Sequence, residues 1–199
     1  KPIEVLFEGY NKSFKNLKED DIPQEFLDKF NNFIKEDFAF LFVGQWCNGG
    51  FGEDRKDIGR MIKVFYETFI NSSDKPALVL KTSGATYSVL DREDCLAKIN
   101  SIKNTYPPKI RKNLPNVYML HGQFSLEELN YLYNHPKMKF MVSFTHGEGF
   151  GRPLLEATIT GLPVIASGWS GHVDFLNKDY SYLIEGELNT VPKSAVWEN

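Results

Sequence analysis

The sequence predicts an α/β protein built on a doubly wound, Rossmann-like parallel sheet, and three observations carry that expectation. Apolar runs of strand length alternate along the chain with segments of helical periodicity. The runs are apolar almost throughout rather than at every second position, as strands covered on both faces must be. Glycine-bearing loops follow the strands, at Gly44 to Gly52, Gly122, Gly147 to Gly151 and Gly168 to Gly171. In sheets of this class ligands bind beyond the carboxyl ends of the strands, so these loops are the place to look for a site.

The elements follow in order after an opening stretch. "FAFLFVGQW" (Phe38 to Trp46) reads as a buried strand, and "RKDIGRMIKVFYETFI" as a helix with Ile58, Ile62, Phe65 and Phe69 recurring at helical spacing. The aromatic residues Phe65, Tyr66 and Phe69 are therefore core or surface covering. "PALVLKTSG" is a second strand and "REDCLAKINSIKNTY" a second helix, whose leading acids in "DRED" complement the helix dipole rather than make a metal site. "PPKIRKNLPN" is a polar loop punctuated by prolines. "NVYMLHG" is a third strand. Ser125, with Glu128 three residues on, makes a capping box that starts the helix "SLEELNYLYN". "MKFMVSFT" is a fourth strand, "RPLLEATITG" a short helix closed by Gly161, "LPVIASG" a fifth strand and "YSYLIEG" a sixth.

Composition narrows the classes of function. A chain of 199 residues with 42% hydrophobic content can bury a normal core and falls within the range of one domain, spanning 1–199. A net charge of −3 gives no basic footprint, so no nucleic-acid partner is expected. Cys47 and Cys95 have no metal or redox spacing and read as reduced thiols of a cytoplasmic protein. No apolar run approaches the roughly 20 residues that span a bilayer. The start at Lys1, without a methionine, is expected of a fragment of something longer.

The segment "EGFGRPLLEA" (Glu148 to Ala157) is unusual for a loop that enters a helix. Pro153 suits the first turn because its missing N–H would be unsatisfied there. That places the N–H groups of Gly151, Arg152, Leu154 and Leu155 around a helix start, which with the dipole makes an anion site. Gly149 and Gly151 permit close backbone approach. Glu156 is expected in the first turn, where a carboxylate would repel phosphate, so its better use is to accept hydrogen bonds from paired hydroxyls, as acids do on ribose. Glu148 could likewise hold sugar hydroxyls. The plainer reading is an acid placed favourably near a helix N-terminus, and spacing alone leaves both open.

"EGFGRPLLEA", followed by "TGLPVIASGWSGHVDFL", resembles the C-terminal donor domain of retaining GT-B glycosyltransferases of family 4, the glycosyl transferases group 1. The hallmark of that family is two glutamates separated by seven residues, the spacing of Glu148 and Glu156. "IEVLFEGYNKSF", "FLFVGQW" with "RKDIGRMIKVF", "VYMLHGQFSLEELNYLYN" and "FMVSFTHGEGFG" agree in the same order, so the resemblance covers nearly the whole chain.

The resemblance implies roles. Glu156 would hold the ribose hydroxyls of a nucleotide-sugar donor, and Glu148 the donor sugar at the catalytic centre. The backbone of Gly149, Phe150, Gly151 and Arg152 would face sugar and diphosphate, and Gly122 and Gln123 would contact the base, unless Gln123 is an ordinary exposed loop residue. The family carries an arginine directly after the glycine of the first strand and a lysine later. Here Gly44 is followed by the uncharged Gln45, while Lys56 matches the later lysine, where a point charge would neutralise leaving diphosphate. Lys56 could also be a solvated first-turn lysine. Arg55 either replaces the missing arginine or is simply exposed. His146 and His172 flank the proposed cleft, His121 and His135 read as structural, and Trp169, Ser170 and Gly171 would line the sugar pocket.

The expected function is retaining, hexosyltransferase-type transfer from a nucleotide-diphosphate sugar, with the donor as substrate and no cofactor or metal. The acceptor domain would be a missing N-terminal domain of the same protein, and peripheral membrane association through that domain is compatible with the resemblance. This fragment alone is expected to bind donor without transferring sugar. The alternatives are a non-catalytic nucleotide-binding module, for which Gln45 argues, or another GT-B enzyme such as a sugar-nucleotide epimerase, against which the glutamate pair argues.

Overall fold

In the computed structural model, which describes residues 3, 4 and 6–195, the six expected strands form. They are β1 (Ala39–Val43), β2 (Ala77–Lys81), β3 (Val117–Leu120), β4 (Met138–Ser143), β5 (Val164–Ser167) and β6 (Ser181–Ile184). All neighbouring pairs are parallel, in the order β3-β2-β1-β4-β5-β6. The chain builds outward from β1 to β3, then returns to β4 and builds the other way. The switch point therefore lies between β1 and β4, where the loops at the carboxyl ends diverge.

Successive strand residues point to opposite faces, and each face meets its own helices. Leu41 of β1, Val79 of β2 and Val164 of β5 pack with Phe30, Ile34, Leu132 and Leu154. Those residues come from α1 (Gln24–Phe33) and its C-cap, and from helices at Leu126–Asn134 and Arg152–Thr160. The alternate residues Phe42, Leu78 and Leu80 pack with Ile58, Ile62 and Phe65 of α2 (Ile58–Phe69) and with Cys95 and Ile99 of α3 (Val89–Asn104). This is the double covering that the continuously apolar strands called for.

Two stretches differ from the sequence expectation. The opening stretch contains α1, preceded by a 3-10 turn at Glu19–Asp21, with Leu27, Phe30 and Ile34 buried along one stripe. Ahead of it the chain is tied down by buried Phe14, by the Lys15 N–H on Asn130 Oδ1 (3.0 Å) and by the Leu17 N–H on Asn134 Oδ1 (2.8 Å). The proline-rich loop holds one short helix, α4 (Pro108–Arg111). Proline costs nothing at a first helical position, so "PP" there starts a turn instead of excluding one.

The remaining helices begin as the sequence indicates. Ser125 accepts from the Glu128 N–H (3.1 Å) and Glu128 Oε2 from the Ser125 N–H (2.7 Å), the reciprocal cap of α5 (Leu126–Asn134). α6 (Arg152–Thr160) runs between Gly151 and Gly161, with φ of 90° and 84° respectively. Cys47 and Cys95 are free thiols. Among the described residues, no helix is long and apolar enough to cross a membrane.

Leu41 is fully buried on the central strand. Leu41→Ala should lower the unfolding free energy by about 2–5 kcal/mol. Urea denaturation would show this as a lower midpoint at unchanged slope.

Candidate functional site

The loops after β1 and β4 meet at the switch point, and Glu148 joins them. Its side chain, only 8% exposed, accepts from Lys56 Nζ through Oε1 and from Arg55 Nη1 through Oε2 (3.1 Å). Arg55 Nη1 also donates to the Gly147 carbonyl (2.6 Å). Backbone bonds align the two loops: the His146 N–H donates to Arg55 O (2.7 Å), as does Thr145 Oγ1 (3.0 Å). Burial alone would raise the Glu148 pKa. The Lys56 hydrogen bond and charge, then those of Arg55, outweigh it and hold the carboxyl below its usual range. Lys56 is thus buried rather than a solvated lysine, and Arg55, though 48% exposed in its side chain, is bonded. The three side chains leave a net charge of one positive.

Asp57 caps α2 in the left-handed region (φ 50°), a conformation that costs a non-glycine residue of order 1–3 kcal/mol. Its carboxylate meets Arg60 Nε (3.2 Å) and His146 Nε2 (3.1 Å). Burial raises the pKa of Asp57, and burial together with the charge of Asp57 raises that of Asp54. Gln45, at the position of the expected arginine, points the other way: its amide donates to Gly84 O in the loop after β2. Among the described residues, it makes no hydrogen bond with the cationic pair.

The Glu148–Arg152 turn is held from the far side by the loop after β5. Ser170 Oγ accepts from the Glu148 N–H (2.9 Å) and donates to Glu148 O (2.8 Å), and the Gly171 N–H donates to the same carbonyl (3.1 Å). A Cβ on Gly171 would lie 1.9 Å from Gly149 O, so only glycine fits. Among the described residues, the N–H groups of Gly149, Phe150, Gly151 and Arg152 make no hydrogen bond. Those of Leu154 and Leu155, expected to be free, both donate to Gly151 O (2.9 and 3.2 Å), because the first turn closes tightly on that carbonyl. Phe150 packs against Phe175 and Phe7, and Arg152 is exposed near Glu8. His172, expected beside the cleft, is fully buried and hydrogen-bonds Ser167 O (2.6 Å), so it is structural. Trp169 donates its indole N–H to His146 O (2.8 Å).

Glu156 lies in the second turn of α6, not the first, because the helix begins at Arg152. Burial raises its pKa, against the hydrogen bond from Tyr133 Oη (3.0 Å to Oε2) and the Arg152 charge. On the β2–β3 side, Gly122 adopts a φ of 127° and Gln123 is exposed beside it. The Gly122 carbonyl accepts from Lys81 Nζ (2.7 Å), and burial depresses the Lys81 pKa. Gly44 turns the chain off β1, its N–H on Lys81 O (3.1 Å).

Lys81 and Tyr133 were absent from the candidates named from sequence. A lysine closing an otherwise apolar strand was the available sign of the first. Tyr133 has helical core spacing, and nothing in the sequence marks its hydroxyl. Among the described residues, no three His, Cys, Asp or Glu side chains converge as metal ligands would.

Lys56→Met should destabilise the fold by about 3 kcal/mol, the lower end for breaking a buried pair, since Arg55 remains. Glu148 titrates below its unfolded value, so its stabilisation is complete above that value and is lost as pH falls through the folded pKa. The urea midpoint of the parent should therefore drop on acidification through the carboxylate range, and that of Lys56→Met should drop less. Equal drops would remove Lys56 as the cause.

No protein-family model and no curated protein matches this chain. Solved structures do. The C-terminal domain of the glycosyl transferase group 1 family protein LpcC from Francisella tularensis is 17% identical, with a TM-score of 0.59 over 94% of this chain and 82% of that one. WaaG, a glycosyltransferase involved in lipopolysaccharide biosynthesis, is 19% identical, with a TM-score of 0.62 over 94% of this chain and 44% of that one. Anabaena HepE, solved with UDP and glucose, is 13% identical, with a TM-score of 0.60 over 92% of this chain and 43% of that one. The chain thus spans most of the LpcC domain and less than half of WaaG and HepE. It has the α/β, Rossmann-like fold of the C-terminal domain of GT-B glycosyltransferases.

Proposed function

We propose that this chain is the donor-binding domain of a retaining glycosyltransferase that takes a nucleotide-diphosphate sugar as substrate. The observation that carries the reading is the division of charge at the switch point. A cationic pole, formed by Lys56, Arg55 and the unbonded N–H groups of Gly149 to Arg152, lies at the start of α6. Glu156 stands apart from it, one turn along the helix.

Diphosphate would take the N–H groups and the net positive charge, and these groups would stabilise the charge that develops on it as the glycosidic bond to the leaving group breaks. Glu148 is held ionised by its two cations and would accept hydroxyl hydrogens of the donor sugar. Glu156 would accept from the ribose hydroxyls, where it does not meet phosphate. The base would lie at Gly122 and Gln123. The presence of UDP and glucose in HepE, a protein of the same fold, supports this choice of ligand. Transfer of the hexosyl group in a cytoplasmic enzyme would need an acceptor-binding N-terminal domain to complete the cleft, and any peripheral contact with a membrane would be made through it.

A second reading, a nucleotide-binding module without catalysis, is favoured by one observation. Gln45 is turned to Gly84, and both nearby cations are already bonded to Glu148.

Calorimetric titration with UDP-, GDP- and ADP-glucose tests the reading. One of them should bind, and Glu156→Ala should weaken it by about ten- to a hundredfold, the loss of charge-assisted hydrogen bonds. Unchanged affinity would sink the ribose assignment. Burial raises the Glu156 pKa, so binding should weaken as pH falls through that raised value, and Glu156→Ala should flatten the dependence. The chain by itself should transfer no sugar in a radiolabel assay. Transfer by the full-length protein would exclude the non-catalytic reading.

A further inference from the structure

Lys81 ends β2 at the carboxyl edge of the sheet with 7% of its surface exposed. Its ammonium carries three N–H donors and no acceptor, and the structure gives it one oxygen, the Gly122 carbonyl at 2.7 Å. Among the described residues, it forms no salt bridge. A nearly buried ammonium without a counter-charge is unfavourable, and the fold keeps one here with two donors unused.

The surroundings are built and aromatic. The Phe124 and Tyr87 ring centroids lie 4.8 and 5.4 Å from Nζ, and the Tyr87 ring is half exposed. Tyr87 stands edge-on to His121, at 5.9 Å between centroids. His121 is pinned by Asp91 (2.7 Å), and Asp91 accepts the N–H groups of Gly84, Ala85 and Thr86. The loop that carries Tyr87 is therefore braced against β3. Where Gly122 lacks a side chain, there is open space within 4 Å. A buried donor, an exposed flat ring and an open backbone turn meet at one spot.

Resting on the donor reading above, we infer that Lys81 selects the base of the bound nucleotide by donating a hydrogen bond to an exocyclic ring carbonyl, O4 of uracil or O6 of guanine. The anion pole is at the start of α6, on the other side of β1 from Lys81. Glu156 is tied to Tyr133 in the last turn of α5, and the loop that enters α5, residues 122–124, is bonded to Lys81 through the Gly122 carbonyl. A base on a ribose held at Glu156 must then reach that entry loop, where the Tyr87 ring would lie beside it. Cytosine and adenine carry an amino group where uracil and guanine carry the carbonyl. Against Lys81 that sets donor against donor and leaves both unpaired in a half-dry pocket.

Calorimetric titration of the chain with UDP, CDP, GDP, ADP and inorganic pyrophosphate decides it. UDP should bind at least about tenfold more tightly than CDP, and GDP than ADP, the cost of one unpaired polar contact. Lys81→Met should remove both preferences by weakening UDP and GDP while CDP and ADP bind no more weakly than before and pyrophosphate is unchanged. Its thermal transition by circular dichroism checks the fold, and the UDP-to-CDP ratio of the parent chain decides the matter if the variant does not fold. CDP binding as tightly as UDP, or Lys81→Met weakening all five ligands alike, would overturn the inference. If Glu156→Ala still weakened UDP binding by the expected factor in that case, the donor reading would stand alone. If none of the nucleotides bound the parent chain, both would fall.

Discussion

The carboxylate of Glu148, buried between Lys56 and Arg55, is the interaction on which the site depends. A parallel sheet joins its strands by backbone hydrogen bonds, but the loops leaving β1 and β4 run apart at the switch point and share no ladder. The ion triad, with the backbone bonds onto Arg55 O, joins them instead. Neither cation nor acid could be buried there alone, because an unpaired charge in such surroundings would lose several kcal/mol of hydration. The net positive charge of the triad is therefore a consequence of the way the loops are closed. The same groups join the two loops and leave one positive charge beside the start of α6.

The course of the strands was legible because a fully covered sheet needs apolar residues on both faces, and "FAFLF", "ALVL" and "FMV" have them. The capping box at Ser125 and the glycine stop at Gly161 were legible for similar local reasons. α1 is hard to read although Leu27, Phe30 and Ile34 have helical spacing, because the neighbouring Phe26 and Phe33 are also aromatic and the stripe does not stand out. For the candidate site, the motif names Glu148 and Glu156, and repulsion argues for hydroxyls rather than phosphate at Glu156. Pairings between distant segments could not be read. Nothing local says that Gln45 turns to Gly84, that Tyr133 reaches Glu156, or that Ser170 clasps Glu148.

Gln45 stands where the resemblance leads one to expect an arginine. An amide cannot neutralise phosphate, but it satisfies the Gly84 carbonyl and so joins the loop after β1 to the loop after β2. Arg55, ten positions further along the chain, stands at Glu148 with its guanidinium half in solvent. A guanidinium offers several N–H donors in one plane, so it can hold Glu148 and Gly147 O and still present a free edge. Lys56, buried and committed through one ammonium, has less latitude.

The clasp of Ser170 and Gly171 on Glu148 has a consequence for any attempt to move this motif. The shape of the Glu148–Arg152 turn is set from more than twenty positions downstream, by a hydroxyl that both gives and receives and by a glycine pressed onto Gly149 O. The ten letters of "EGFGRPLLEA" are thus only half of a hinge-and-hasp. A chimera that grafts them into another sheet must bring the residue 168–171 turn as well, or it inherits the spelling of the loop without its form.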